Sequence, residues 1–384
     1  MPPATHIQIV RAYEVSVPAK PGAINSPAWL TARDRWDLMP IVLLEFEMAD
    51  GLIALGEVER GHTLAELTPW LAQLPGLALQ GWSMQPLPAN WRGDTRWGLL
   101  AKHPPALWES PSPVLRALEV ALLDWAGQRL NCRVVDLLGG QVQETIAVDW
   151  WCARQTPADL TNLVQKARQL GFHGLKMKSK LGDPVLEQVK AIKAAGGSDF
   201  HLTIDPMCQW LSPADALATI RQLEPYAENL QIEDPFPQDM PDLWQRVRQV
   251  SPIPLVLHAR GVDVLRRGLQ DCFADNFNVS GQTLSEFLTL ARTVEVMGYS
   301  CWHGSSLEMG VMQVARLHAT AAARSCVLPS DFQSQLVRES TLISWDWPYQ
   351  DGQLSLPDGP GLGVRLNHEA IQRYGRATAT FTTD

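Results

Sequence analysis

Five polar residues close successive short apolar segments in the second half of the chain, at Lys178, Asp205, Glu233, His258 and His303. The first four are separated by 27, 28 and 25 residues, which is about the length of one strand and one helix. Parallel strands that are buried on both faces are normally apolar throughout, so polar residues at their ends indicate a shared site. We expect these side chains to meet at the carboxyl end of a barrel.

Asp205 and Glu233 are of the residue type that binds a hard divalent cation, because Mg²⁺ prefers carboxylate oxygens and water. Taken singly, Asp205 could cap the turn at Pro206, and Glu233 could open a loop. Their position at the ends of adjacent strands predicts a metal site instead.

Lys176 and Lys178 are two residues apart, so on a strand both side chains point to the same face. A solvated strand edge would explain them, but a closed barrel has no free edge. We expect two neighbouring ammonium groups to lower each other's pKa. A lysine amine that has lost its proton can act as a general base.

Alternating apolar segments and amphipathic helices would position these residues. Predicted helix starts at Thr156-Pro157 and Ser212-Pro213 place a capping residue before a proline. Alternation of this kind predicts an α/β fold with a parallel (β/α) barrel of the TIM type. The predicted barrel strands are 145–150, 173–178, 200–205, 229–233, 253–258, 273–279, 299–303 and, as an eighth, 326–329.

The first part of the chain has a different pattern. Strands are predicted at 7–17, 41–48 and 53–58, with a hairpin turn at Ala49-Asp50-Gly51, and a helix follows Pro113. We expect an α+β capping domain at 1–142, the barrel at 143–340, and a segment at 341–384 that returns to the capping domain.

Composition excludes several classes of function. The 384 residues are 46% hydrophobic and carry a net charge of −9 without a basic run, which argues against binding to nucleic acid or an anionic membrane. No apolar run approaches the ~18 residues of a membrane span, and no signal peptide is visible. The six cysteines form no CxxC pair, so we expect a reduced, cytoplasmic protein.

Several motifs resemble the enolase superfamily, in its mandelate racemase and muconate lactonizing enzyme branch, and the resemblance covers nearly the whole chain. They are ADGLIALGEVE (49–59), ALEVALLDWAGQRLNCRVVDLLGG (117–140), LKMK (175–178), TIDPMCQW (203–210), IEDP (232–235) and LPDGPGLGVRL (356–366). The resemblance implies an enolase-like modified barrel with an N-terminal capping domain. It also implies that Lys178 is the base and that Lys176 lies near the substrate carboxylate. A divalent metal stabilises the enolate in that family.

The third metal ligand of the family is usually a carboxylate at the end of the fifth strand, where this chain has His258. Imidazole suits Mn, Fe or Zn better than Mg²⁺. We expect Mg²⁺ on Asp205, Glu233 and His258, with Mn²⁺ or another transition metal as the alternative. His258 could also support a ligand without binding the metal, or weaken the site.

The sixth strand shows a second departure, because Asn278 stands where one branch of the family has lysine. This favours a dyad of the mandelate racemase type, with His303 as acid/base and Asp275 orienting its ring. The alternative is that His303 only packs under Trp302. Glu308 is predicted either to reach the substrate or to cap the next helix.

The favoured function is dehydration of a hydroxy or sugar acid through a metal-stabilised enolate, on a small-molecule carboxylate substrate. A racemase or epimerase of the same substrates shares the first step, and a non-catalytic, metal-poor binding barrel is the other alternative. Relatives suggest a homo-oligomer. Substrate contacts are predicted from the capping loops and the barrel mouth, at Arg33, Arg35, Arg60, Trp151, Asn278 and Glu308.

Overall fold

The computed structural model describes residues 6–30, 38–77, 112–180, 182–210, 212–281 and 283–383. Within these ranges, none of the helices combines the length and the apolar character that a membrane span requires.

An antiparallel sheet of four strands forms the first layer of the molecule. Its strands are β1 (Ile7–Val15), β2 (Ile41–Met48), β3 (Ile53–Val58) and β13 (Gly375–Thr382), in the order β13-β1-β2-β3. The turn between β2 and β3 contains Gly51 at φ +83°, a conformation that glycine adopts without steric cost. The C-terminal strand β13 therefore pairs with β1, the first strand of the chain.

In the described residues between β3 and the barrel, the helices are α1 (Leu64–Leu71), α2 (Ser112–Leu130) and α3 (Val134–Leu137). The long helix α2 packs closely on β3, since a Cβ added at Gly56 would lie 2.7 Å from the carbonyl oxygen of Ala117. This side of the sheet has its own apolar cluster, separate from the barrel core.

Seven parallel strands form the barrel sheet in the order β11-β10-β9-β8-β7-β6-β5. They are β5 (Trp150–Cys152), β6 (Gly174–Lys178), β7 (His201–Asp205), β8 (Leu230–Glu233), β9 (Leu255–Ala259), β10 (Asn276–Val279) and β11 (Cys301–His303). The helices that follow them are α4 (Pro157–Gln169), α5 (Val185–Gly196), α6 (Pro213–Leu223), α7 (Pro241–Arg248), α8 (Val262–Gln270), α9 (Leu284–Val296) and α10 (Gly310–Ala321). Thr156 and Ser212 cap α4 and α6 as predicted.

Closure of the barrel differs from the prediction. Residues 326–329 form no strand; instead the Leu328 N–H donates to the Cys301 carbonyl oxygen (3.1 Å) and the Ser330 N–H to that of Ala147 (2.8 Å). The predicted first strand is split into β4 (Ile146–Ala147) and β5, because β4 pairs with the short β12 (Gln353–Leu354) instead of joining the barrel. Two further short helices are α11 (Ser334–Val337) and α12 (His368–Tyr374).

Buried carboxylates join the first layer to the barrel helices. Glu57 of β3 is fully buried and accepts hydrogen bonds from the N–H groups of Met309 (2.6 Å) and Met312 (2.9 Å), at the start of α10. Glu119 of α2 accepts from Leu284 N (2.7 Å) at the start of α9. The first N–H groups of a helix have no partner within the helix, so both acidic side chains satisfy them and fix the two layers against each other.

Glu57 gives a testable pH dependence. Burial raises its pKa to about 8, although the N–H groups of Met312 and Met309 act in the opposite direction. The folded state therefore holds a proton that the unfolded chain loses near pH ~4.5, so this contribution to stability is lost as the pH rises towards 8. Urea unfolding at pH 5 and pH 8 should show wild-type stability falling more steeply than that of Glu57→Gln, by at most about 1.4 kcal/mol per pH unit. Equal slopes for the two proteins would contradict this assignment.

Candidate active site

A cavity of about 320 Å³ opens at the carboxyl ends of the barrel strands. Its charged lining is predominantly basic. Six basic side chains contribute to it: Arg60, Arg116, Lys176, Lys178, Arg260 and Arg316. Three acidic side chains line the same space: Glu59, Glu233 and Asp331. A cavity with this lining favours an anionic ligand.

Lys176 lies at the base of this cavity and is only 4% exposed. Its Nζ is 2.6 Å from Glu233 Oε2 and 3.0 Å from Asp331 Oδ2. Burial by itself lowers the pKa of Lys176, but the carboxylates of Asp331, Glu233 and Asp205 outweigh burial and raise it above the ordinary value. The predicted lowering of this pKa by Lys178 was therefore wrong, because the prediction omitted the carboxylates.

Lys178 lies at the end of the same strand and reaches further into the cavity. Its Nζ is 2.7 Å from Asp205 Oδ2, and its side chain is 21% exposed. The second oxygen of Asp205 accepts a hydrogen bond from the Met207 N–H at 2.8 Å. Lys178 thus forms an ion pair that remains open to a ligand on one side.

Asp331 was missed in the sequence. Its N–H donates to the carbonyl oxygen of His303 (3.2 Å), which places its side chain at the barrel mouth beside β11. Burial raises the pKa of Asp331 to about 6, against the opposite effect of Lys176. The available indication was its position two residues after the predicted strand at 326–329.

Glu233 is the centre of a second set of contacts. Its Oε1 accepts a hydrogen bond from Asn278 Nδ2 at 2.9 Å and lies 3.5 Å from His258 Nδ1. His258 Nε2 lies 2.8 Å from Ser280 Oγ. Burial, followed by the charges of Arg260 and Lys176, lowers the pKa of His258 well below its ordinary value, so the ring is neutral.

His303 does not face the main cavity. Its ring packs on Phe287 and Phe332, with ring centroids 4.2 Å and 6.1 Å away, and its Nδ1 lies 2.8 Å from the Gly304 carbonyl oxygen. It borders a separate space of only about 10 Å³, between the barrel and α2. Burial lowers its pKa well below the ordinary value. His303 is therefore a packed residue, as the alternative held, but its ring contacts are Phe287 and Phe332 instead of Trp302.

Asp275 lies at the opposite end of the barrel from this cavity, because β10 begins only at Asn276. Its carboxylate accepts hydrogen bonds from Arg248 Nε (2.8 Å) and Leu255 N (2.9 Å). The predicted dyad of Asp275 and His303 is therefore wrong.

Of the other residues predicted to contact the substrate, some line the cavity and others do not. Trp151 and Arg60 line the cavity, whereas Arg33 and Arg35 lie outside the described residues. Asn278 is fully buried against Glu233.

Glu308 is also buried and faces away from the cavity. It accepts hydrogen bonds from Arg316 Nη1 (2.7 Å) and Ser306 N (2.6 Å). Glu308 thus holds the loop at the cavity wall instead of offering a carboxylate to a substrate.

Comparison with known proteins gives the family. Residues 159–370 match the family model described as enolase C-terminal domain-like. Muconate cycloisomerase 1-1 of Acinetobacter lwoffii is 25% identical over 349 residues, covering 88% of this chain and 89% of that protein. N-succinyl-L-Arg/Lys racemase of Bacillus cereus is 26% identical over 266 residues, which cover 67% of this chain and 70% of that protein.

Solved structures give the fold. The N-succinyl Arg/Lys racemase from Bacillus cereus superimposes with a TM-score of 0.79 at 19% identity, over 98% of this chain and 99% of that one. The muconate lactonizing enzyme from Pseudomonas fluorescens gives a TM-score of 0.79 at 21% identity, over 97% of this chain and 100% of that one. These comparisons confirm the predicted barrel fold and the predicted enzyme class of lyase or isomerase. The chain therefore belongs to the enolase superfamily, in its mandelate racemase and muconate lactonizing enzyme branch.

Proposed function

We propose that this enzyme transfers a proton at the carbon next to the carboxylate of a small anionic substrate, with Lys178 as the group that carries the proton. The observation that supports this most directly is the ion pair of Lys178 with Asp205, which is open to the basic cavity. An enolate formed there gains from the cations that line the cavity and are open to a ligand, Lys178 and Arg260. Arg260 also lines the cavity and forms no ion pair with any described residue.

Proton transfer on one face of the enolate suits this cavity best. Racemisation needs a proton-transferring group on each face, yet Asn278 cannot carry a proton and His303 lies outside the cavity. His258 lines the cavity, but its Nε2 faces Ser280 Oγ, so it reaches a ligand only through that hydroxyl. We therefore favour cycloisomerisation or syn-elimination over racemisation. Dehydration of a hydroxy acid would be one such syn-elimination, and it stays a proposal.

The donor set does not fit the Mg²⁺ site that the sequence predicts. Three of the four carboxylate oxygens of Asp205 and Glu233 already accept a hydrogen bond, from an ammonium group, a backbone N–H and an amide. The fourth, Glu233 Oε2, lies 2.6 Å from Lys176 Nζ in an ion pair without hydrogen-bond geometry. The third ligand position holds neutral His258 instead of a carboxylate. Among the residues that the structure describes, no three His, Cys, Asp or Glu side chains form a group that could hold a metal ion. Superfamily members typically use a divalent metal, so we propose that Lys176 replaces part of that charge here.

The homo-oligomeric state and the cytoplasmic location stay predictions from the sequence. The boundaries at residues 142 and 340 also stay predictions.

The proposed role of Lys178 can be tested by proton NMR in D₂O. The full chain is incubated with cis,cis-muconate and with N-succinyl-L-lysine, the compounds suggested by the names of the relatives. We expect deuterium at the carbon next to a carboxylate, and a rate at least about 100-fold lower in Lys178→Met, since general acid–base groups contribute 10²–10⁴-fold. The control is Lys190→Met, on an exposed face of α5. Exchange at the wild-type rate in folded Lys178→Met, or none with either compound, would count against the proposal.

The metal proposal can be tested by restoring a third carboxylate. Thermal unfolding of wild type should be unchanged by millimolar Mg²⁺ or Mn²⁺, whereas His258→Asp should be stabilised by about 2 kcal/mol or more when the ion exceeds its dissociation constant ~100-fold. His368→Asp, a change of the same type at an exposed histidine of the first layer, is the control. Stoichiometric, micromolar metal binding by wild type would show that two carboxylates and His258 are sufficient.

A further inference from the structure

The four-stranded sheet of the first layer has a free edge at β13. This strand lies at one end of the order β13-β1-β2-β3, so β1 is its only neighbour among the described strands. Apart from that pairing, no backbone N–H or carbonyl group of residues 376–382 bonds to a residue that the structure describes. Such a row of unpaired donors and acceptors is a template for a further strand.

The usual protections of an edge strand are missing from β13. Natural edge strands are commonly short or bulged, or they carry proline or lysine. β13 has eight residues, GRATATFT, without proline or lysine. Its register with β1 is continuous from Ala377 to Thr382, and its one charged residue, Arg376, lies near its start. The strand therefore offers a long, uncharged edge to a partner strand.

The two faces of β13 differ in chemistry. Ala379 and Phe381 lie opposite the buried Ala12 and Val10 of β1, so they point to the apolar cluster of the first layer. Both remain half-buried, although Ala12 and Val10 are fully buried. The opposite face of the strand carries three exposed threonines, Thr378, Thr380 and Thr382.

α1 brings a second half-buried aromatic residue to the apolar face. This helix packs on both β1 and β13 and buries Leu64, Leu67 and Leu71. Its Trp70 contacts the same apolar cluster and is only half-buried, as Phe381 is. Aromatic residues are enriched where one protein binds another. The apolar cluster is therefore incompletely covered on the face that α1 and β13 share.

A second copy of the same strand is complementary to this edge. When identical strands pair antiparallel about a two-fold axis perpendicular to the sheet, each residue lies opposite one an even number of positions away. Threonine then faces threonine, a pairing that stabilises antiparallel strands, and alanine faces alanine or phenylalanine. Arg376 lies opposite the far end of the partner strand, so no like charges meet. A two-fold contact of this kind closes on itself instead of extending into a fibre.

We propose that β13 is an interface between two copies of this protein, in which the two β13 strands pair antiparallel and join both first layers into one continuous sheet. Backbone hydrogen bonds along the free edge give the contact its direction. The partner copy extends the apolar face, so that Phe381 and Trp70 gain the cover that they lack within one chain. The interface lies in the first layer and involves none of the residues proposed for proton transfer.

Charge substitutions on the threonine face test this interface. In Thr378→Glu/Thr380→Glu, carboxylates of the two copies lie opposite each other whether the axis passes through Ala379 or Thr380, and like charges destabilise a strand pair. Within one copy Thr380 lies opposite Arg11, so the change does not oppose the β1–β13 pairing. Sedimentation equilibrium should give wild type an even multiple of the 42.6 kDa chain mass. The dissociation constant for its halves should rise about tenfold or more in the variant.

Mixing two variants makes the test specific. Thr378→Lys/Thr380→Lys should also dissociate, whereas an equimolar mixture of the Glu and Lys variants should regain the wild-type mass, because opposite charges then face each other. Thr289→Glu/Thr293→Glu, on an exposed face of α9, makes the same change of charge and should keep the wild-type mass. Thermal unfolding establishes that each variant is folded.

Hydrogen exchange with mass spectrometry locates the contact. Amides in peptides that cover 375–383 should exchange about tenfold or more slowly in wild type than in the Glu variant at the same concentration. A monomeric wild type, a wild-type mass retained by the folded Glu variant, or equal exchange of the β13 amides in both proteins would overturn the proposal. None of these measurements involves catalysis, so their outcome is independent of the deuterium exchange proposed for Lys178.

Discussion

The buried ammonium group of Lys176 holds the barrel mouth together. It joins β6 to Glu233 at the end of β8 and to Asp331 in the segment that closes the barrel. Removal of one partner from a buried ion pair costs about 3–5 kcal/mol, because a charge is left without compensation. The strand ends are therefore locked in one arrangement, and Lys178, Asn278 and His258 take their positions from it.

Two departures from the family lie beside the same carboxylate. The resemblance places a carboxylate where this chain has His258 and a lysine where it has Asn278. Relative to the branch that has the lysine, one change removes a negative side chain and the other removes a positive one. Both residues contact the same Glu233. The result is a cavity in which ammonium groups pair with the carboxylates, Asn278 donates to Glu233, and His258 lies beside Glu233 and contacts Ser280.

Sequence periodicity was sufficient to predict the barrel strands, but it was insufficient to predict which way each side chain points. Lys178, Asp205 and Glu233 meet as expected, because each closes a strand that is followed by a helix of ordinary length. The role predicted for Asp275 was wrong because the strand predicted to begin at residue 273 begins only at Asn276. Asp275 therefore lies at the other end of the barrel. His303 closes a strand of three residues, and a shift of one residue in so short a strand decides whether a side chain faces inward or outward. Asp331 follows a segment that closes the barrel through isolated hydrogen bonds, for which periodicity gives no indication.

We propose that Lys176, and not a divalent cation, balances the charge of Glu233 and Asp331. A crystal of the wild-type chain soaked in Mn²⁺ and measured at a wavelength with strong manganese anomalous scattering tests it most directly. We predict no anomalous peak between Asp205 and Glu233, with Lys176 Nζ within hydrogen-bonding distance of both of its carboxylate partners. A peak at that position, with Lys176 displaced from Glu233, would contradict the claim.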